Sequence, residues 1–182
     1  MNLEATYQKI LSEIDQGHRG LQRYSNEELE EINRLFLESL MGQNFEATEK
    51  VLCLVEHSAG LYGQFENAII QTLNSSVPDN LVIFALNCAR KHIIEARFQK
   101  GQRLDYTFLE AIKKHLFSKN PEVVEWTLRL IEGTGNQGIY FLKEFDKIKP
   151  GPWKWFNSHQ RAVREIITLL ERRWSPLEKP RT

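Results

Sequence analysis

The chain has 182 residues, with 24 Lys plus Arg against 24 Asp plus Glu, and is 41% hydrophobic and 26% charged. That length suits one domain, and the composition is ordinary for a soluble globular chain. Zero net charge argues against a general nucleic-acid binder, and no apolar run approaches the ~18–20 residues of a membrane span. Met1-Asn2-Leu3-Glu4 has neither a basic stretch nor an apolar core, so no signal peptide is expected and the chain reads as cytoplasmic. Two cysteines, Cys53 and Cys88, cannot build a disulfide framework or a four-thiolate zinc site, and both are expected to be free thiols.

Helical spacing recurs from one end to the other. Leu3, Tyr7, Ile10, Leu11 and Ile14 make one apolar stripe over 2–16, closed by Gly17-His18-Arg19-Gly20. Ser25 with Glu28 three residues on has capping-box spacing, and Leu29, Ile32, Phe36 and Leu40 follow as the buried stripe of a second helix. A third helix is predicted over 44–58 and a fourth over 62–75, with Phe65, Ile69, Ile70 and Leu73 inward. Pro78 suits the first turn of a long helix running to Phe98. Its Leu81-Val82-Ile83-Phe84-Ala85-Leu86 is apolar on all sides, which predicts a central helix with Phe84 in the core.

Phe108, Leu109, Ile112 and Leu116 predict a helix over 105–117. Asn120-Pro121 caps and opens the next, which runs to Glu132 and stops at Gly133-Thr134-Gly135. Further helices are predicted over 136–148 and over Ser158–Trp174, with Pro150-Gly151-Pro152 between them. Residues 175–182 are expected to be a flexible tail. No stretch alternates in the manner of a strand. The expectation is a single all-α domain over 1–174, of about nine helices.

The chain also repeats itself. Asn44 to Glu56 and Asn120 to Glu132 share Asn, three Glu and two Leu at matching positions, six of thirteen, at a separation of 76. The long helix from Pro78 lies about 34 residues after the first copy. The last helix lies about 39 after the third, matching Val123, Val124, Leu128, Leu130 and Ile131 to Ala162, Val163, Ile167, Leu169 and Leu170. Each copy follows another helix, so the unit is a hairpin.

Asn120-Pro121-Glu122-Val123-Val124, with Leu128, Leu130 and Ile131 after it, resembles the second helix of a HEAT repeat. The resemblance covers residues 25–174. The second copy, with Val77-Pro78-Asp79, departs from it. It implies a short right-handed α-solenoid of about four hairpins, whose second helices line a concave surface. An irregular helical bundle is the alternative.

In register, the second helices leave four outward rows: Glu46, Asn80, Glu122, Arg161; Lys50, Phe84, Trp126, Glu165; Cys53, Asn87, Arg129, Thr168; and His57, Lys91, Gly133, Arg172. Cys53 is thus expected to be exposed and Cys88 buried. Trp126 is the most informative member, because its helix already has six other residues for the core. A ridge tryptophan beside Arg129 has the composition of an interface hot spot, although a ring packed sideways against the next hairpin fits the spacing too. Trp153 and Trp155, in Pro150-Gly151-Pro152-Trp153-Lys154-Trp155-Phe156, read either as an aromatic lip able to stack on a partner or as a cap on the last hairpin.

Catalytic chemistry is not visible. Gly133-Thr134-Gly135-Asn136-Gln137-Gly138 fits G-x-G-x-x-G but follows a helix, so it reads as a helix-ending turn. His18, His57, His92, His115 and His159 have no metal-ligand spacing and are expected at surfaces or caps. No cofactor and no metal are expected.

The sequence therefore points to a non-enzymatic protein- or peptide-binding scaffold. Its contact residues would be Glu122, Trp126, Arg129, Arg161, Glu165 and Arg172, with Trp153 and Trp155. Nucleic acid and membrane are not expected as partners, and the oligomeric state is left open. The alternative is a HEAT-like alkylpurine DNA glycosylase, a family that uses a basic concave groove with tryptophans. Trp126, Arg129, Arg161 and Arg164 are of the right types for that. The motifs of that family are not visible, however, and Glu46, Glu49, Glu122 and Glu125 have the wrong sign for phosphate. The charge is graded: residues 1–60 hold 11 acidic and 5 basic side chains, and residues 121–182 hold 8 and 11. In a solenoid this would make a dipole with a basic end at Arg161, Arg164, Arg172 and Arg173.

Overall fold

A computed structural model describes residues 2–151 and 157–178. Among them the fold is all-α, in ten α-helical stretches: α1 (Leu3–Asp15), α2 (Asn26–Met41), α3 (Phe45–Glu56), α4 (Glu66–Asn74), α5 (Asp79–Ala89), α6 (Ala96–Gln99), α7 (Tyr106–His115), α8 (Pro121–Glu132), α9 (Leu142–Ile148) and α10 (Ser158–Glu178). No strand occurs among the described residues, and the one β-type contact is an isolated parallel bridge between Gln22 and Ser58.

The starts at Ser25 and Asn120 follow the predicted chemistry. Ser25 accepts from the Glu28 amide while the Glu28 carboxylate accepts from the Ser25 amide, a complete capping box. Asn2, Asn44 and Asn120 each accept an amide at the first turn of α1, α3 and α8. Such a cap contributes about 1 kcal/mol. Two predicted helices begin as 3-10 turns: Gly63–Phe65 leads into α4, and Gly135–Phe141 leads into α9. The long helix from Asp79 is one run in which the π-helical segment Arg90–Glu95 joins α5 to α6. α10 continues past the expected end at Trp174, so residues 175–178 are helix and not tail.

The chain divides into two compact units, 1–103 and 104–182. In the first, α3 is central: α1, α2 and α5 all pack on it, and α4 packs on α5. Its core holds Ile10, Ile32, Phe36, Leu52, Leu54, Phe65 and Ile69, all fully buried. In the second, α8 packs on α7 and α10, and the segment from Gly135 to Ile148 closes against α8 and α10. Phe108, Ile112, Leu128, Phe141, Phe145, Ile167, Leu170 and Trp174 fill that core.

Within each unit two helices are parallel neighbours, α3 and α5 in the first and α8 and α10 in the second. In the first, Asn80 donates to Glu49 and Lys91 Nζ donates to the Glu56 carbonyl, so α5 advances alongside α3 at separations of 31 and 35 residues. In the second, His159 meets Glu125 and Arg173 meets Glu132, at separations of 34 and 41.

Candidate functional site

α8 has 12 residues, as α3 does. Its buried set is Val123, Val124, Thr127, Leu128, Leu130 and Ile131. Glu122 and Trp126 are half-buried and Arg129 is exposed. The Arg129 guanidinium lies 6.0 Å from the centre of the Trp126 ring. Glu125 holds Arg129 at 2.6 Å and also meets His159 of α10 at 2.8 Å. The tryptophan thus sits beside a fixed cation, outside the set that fills the core.

α10 divides its length between two faces. Val163, Ile167, Leu170 and Trp174 are buried, and Arg161, Glu165, Leu169 and Arg172 are exposed. Those four outward residues, with Arg164, Thr168, Gln160, Pro150 and Gly151, line a depression of about 500 Å³. Three of the predicted contact residues, Arg161, Glu165 and Arg172, therefore share one concave place. Leu169 corrects an expectation: matched to Leu130 as core, it is 46% exposed. The signal was available, because Leu169 lies off the 163, 167, 170, 174 stripe that faces α8. Trp153 and Trp155 lie outside the described residues.

In the first unit the predicted rows are partly covered. Cys53 was expected to be exposed and is buried, at 4%. The reason is α1, which lies on α3. Glu4 pairs with Lys50 at 2.8 Å, and Lys50 sits 5.9 Å from the centre of the Tyr7 ring. Glu46 and Asn80 are exposed, whereas His57, Asn87 and Lys91 are half-buried. Phe84, assigned to the core, is half-buried as well, because α3 and α4 cover only part of its helix.

Neither thiol is prepared for nucleophilic work. Burial pushes Cys53 up to about 11 and holds Cys88 well above the ordinary thiol range, whereas a reactive thiol needs a depressed value. His57 Nδ1 lies 3.8 Å from Cys53 Sγ, but its closer partner is the Cys53 carbonyl at 3.0 Å. His57 thus caps the end of α3, as expected of a histidine there. His92 corrects the expectation of surface histidines, for it is fully buried. Its Nδ1 accepts from the Tyr62 amide at 3.0 Å, and its Nε2 meets the Val55 carbonyl at 2.9 Å and Ser58 Oγ at 3.2 Å. The ring stacks on Tyr62 and meets the edge of Phe65.

No group of three or more His, Cys, Asp or Glu able to hold a metal ion occurs among the described residues, and no described helix is long and apolar enough to cross a membrane. Gly133 and Thr134 end α8 as predicted, and Gly135, at φ 61°, opens the 3-10 turn that leads into α9. Gly138 has a further part that the motif did not reveal, since the Trp174 ring occupies the place a Cβ would take. Against known proteins, no family model, no curated protein and no solved structure matches this chain.

Proposed function

We propose that this chain is a non-enzymatic protein- or peptide-binding module, built from HEAT-like hairpins stacked as a short right-handed α-solenoid. The parallel pairing of α3 with α5 and of α8 with α10 supports the stacking. The matched length and asparagine caps of α3 and α8 support the repeat. The observation that carries the binding reading is Trp126, half-buried beside Arg129 and outside the core set of α8. A large ring held next to an arginine is the composition in which interface energy concentrates. The contact set is Glu122, Trp126 and Arg129 on α8, with Arg161, Glu165 and Arg172 on α10.

The test is capture from the source cells with the tagged full chain, compared with Trp126→Ala and Arg129→Glu. Each variant is expected to retain about a tenth or less of a specifically captured protein, because hot-spot truncations cost ~2 kcal/mol or more. Far-ultraviolet circular dichroism should stay unchanged. A large loss of helical signal in Trp126→Ala would place the ring in the core and remove it from the interface. A nucleic-acid reading has less support here, because the Arg129 charge is already spent on Glu125.

A further inference from the structure

We infer that the groove beside α10 receives an acidic amphipathic helix of a partner protein; this deepens, and rests on, the reading of the chain as a protein-binding module. Two depressions, of about 500 and about 430 Å³, meet at Pro150, Gly151 and Gln160, which line both. Each has one large exposed apolar side chain: Leu169 at 46% in the first, Phe117 at 50% in the second. Six basic side chains line the pair against one carboxylate. The first has Arg161, Arg164 and Arg172 with Glu165, and the second has Lys119, Lys147 and Lys149.

The charge is not all balanced internally. Lys147 and Lys149 are paired with Glu144 and Glu171. Arg161, Arg172 and Lys119 are exposed, and none forms an ion pair with a described residue. Arg161 and Arg172 are eleven residues apart on one helix, so about three turns and ~16 Å separate them. A partner helix with carboxylates at that same spacing would meet both cations. Its apolar side chains would fall between them, onto Leu169. This is helix-in-groove recognition with complementary charge.

The chain already uses such a contact on itself. α1 is an amphipathic helix with Glu4 and Tyr7 in its first turns, and it docks on α3 through the Glu4–Lys50 pair. A nucleic acid suits the groove less well. Glu165 stands between Arg161 and Arg172 on the same face, where it would repel phosphate, and the larger depression has no ring in its described lining on which a base could stack.

Fluorescence anisotropy with the full chain tests this. The probe is a labelled synthetic helix of about 18 residues, long enough to be helical once bound, with a leucine stripe flanked by glutamates at three-turn spacing. The comparisons are the same peptide with lysine for glutamate, and a single-stranded oligonucleotide of similar length. The acidic peptide is expected to bind at least about tenfold more tightly than either, and less tightly as salt rises. Arg161→Glu with Arg172→Glu, and separately Leu169→Asp, should each weaken it by about tenfold or more with helical signal intact. Equal binding of the two peptides, indifference to both variants, or tighter binding of the oligonucleotide would overturn the inference. So would self-association in sedimentation that the double arginine variant abolishes, since that assigns the groove to a second copy. If Trp126-dependent capture persists while the acidic peptide is ignored, this inference alone fails. If both are lost, the protein-binding reading beneath it fails as well.

Discussion

The Tyr62 amide donates to Nδ1 of His92, so the imidazole carries its proton on Nε2, which donates to the Val55 carbonyl. A second proton on Nδ1 would face another donor in a site without water-like solvation. Burial lowers the His92 pKa from the ordinary 6.5 to about 4. The folded state then binds fewer protons than the unfolded chain between those values. Stability from this site is complete above pH 6.5 and falls as pH drops through the window, by about 3 kcal/mol at its lower end. Thermal unfolding between pH 7 and 4 should show the decline, and His92→Asn should have a shallower slope than the wild type between pH 6.5 and 5. An unchanged slope would show that His92 does not carry the decline. At the same scale, Leu169 and Cys53 show what spacing cannot settle. Leu169 has the hydrophobicity of a core residue and is exposed, while Cys53 lies on an outward row and is buried. Each depends on whether a second element arrives to cover it.

Most helices begin where short-range chemistry says they should, and what they pack against decides the rest. The end of α8 passes through Gly133 and Gly135 into a 3-10 turn that brings Gly138 beneath Trp174 of α10. Trp174 is fully buried and lies 6.4 Å from Phe145, centre to centre. A Cβ at Gly138 has no space unless that ring moves. Gly138→Ala is expected to cost about 1–3 kcal/mol by overpacking, read as a lowered urea midpoint; an unchanged midpoint would show that the indole can swing aside. The π segment Arg90–Glu95 is the other departure from simple periodicity. It places His92 against Val55, Ser58 and Tyr62. From there Lys91 also reaches the Ser58 carbonyl. The π turn is hidden in the apolar pattern because this helix is buried on several sides, so the rotated stripe still falls on buried residues such as Ile93 and Ile94. α3 and α8, by contrast, keep the same length, cap and buried leucines across 76 residues of separation.

For the whole molecule, zero net charge is the sum of two opposed parts. Residues 1–103 hold 14 acidic and 10 basic side chains, and residues 104–182 hold 10 and 14. A chain with its charges evenly mixed would pass through both kinds of ion exchanger near neutral pH. This one is expected to be retained by a cation and by an anion exchanger at low ionic strength, and released from both by ~0.2 M salt, where the Debye length is under about 8 Å. Flow-through on both would show that the two excesses screen each other. The sequence by itself determined the places of most helices, the capping box at Ser25, the cap at Asn120, the residues that α3 and α8 share and the arginine-rich run on α10. These depend on neighbours within a turn or two, and the 3.6-residue period encodes them directly. Only the tertiary structure decided that α1 covers Lys50 and Cys53, that His92 is buried and neutral, and that Gly138 makes room for Trp174. It also decided that Arg161, Arg172 and Leu169 share a groove with Pro150 and Gly151. Each of those depends on contacts between segments distant in the chain, and burial is a property of what arrives from elsewhere rather than of the residue itself.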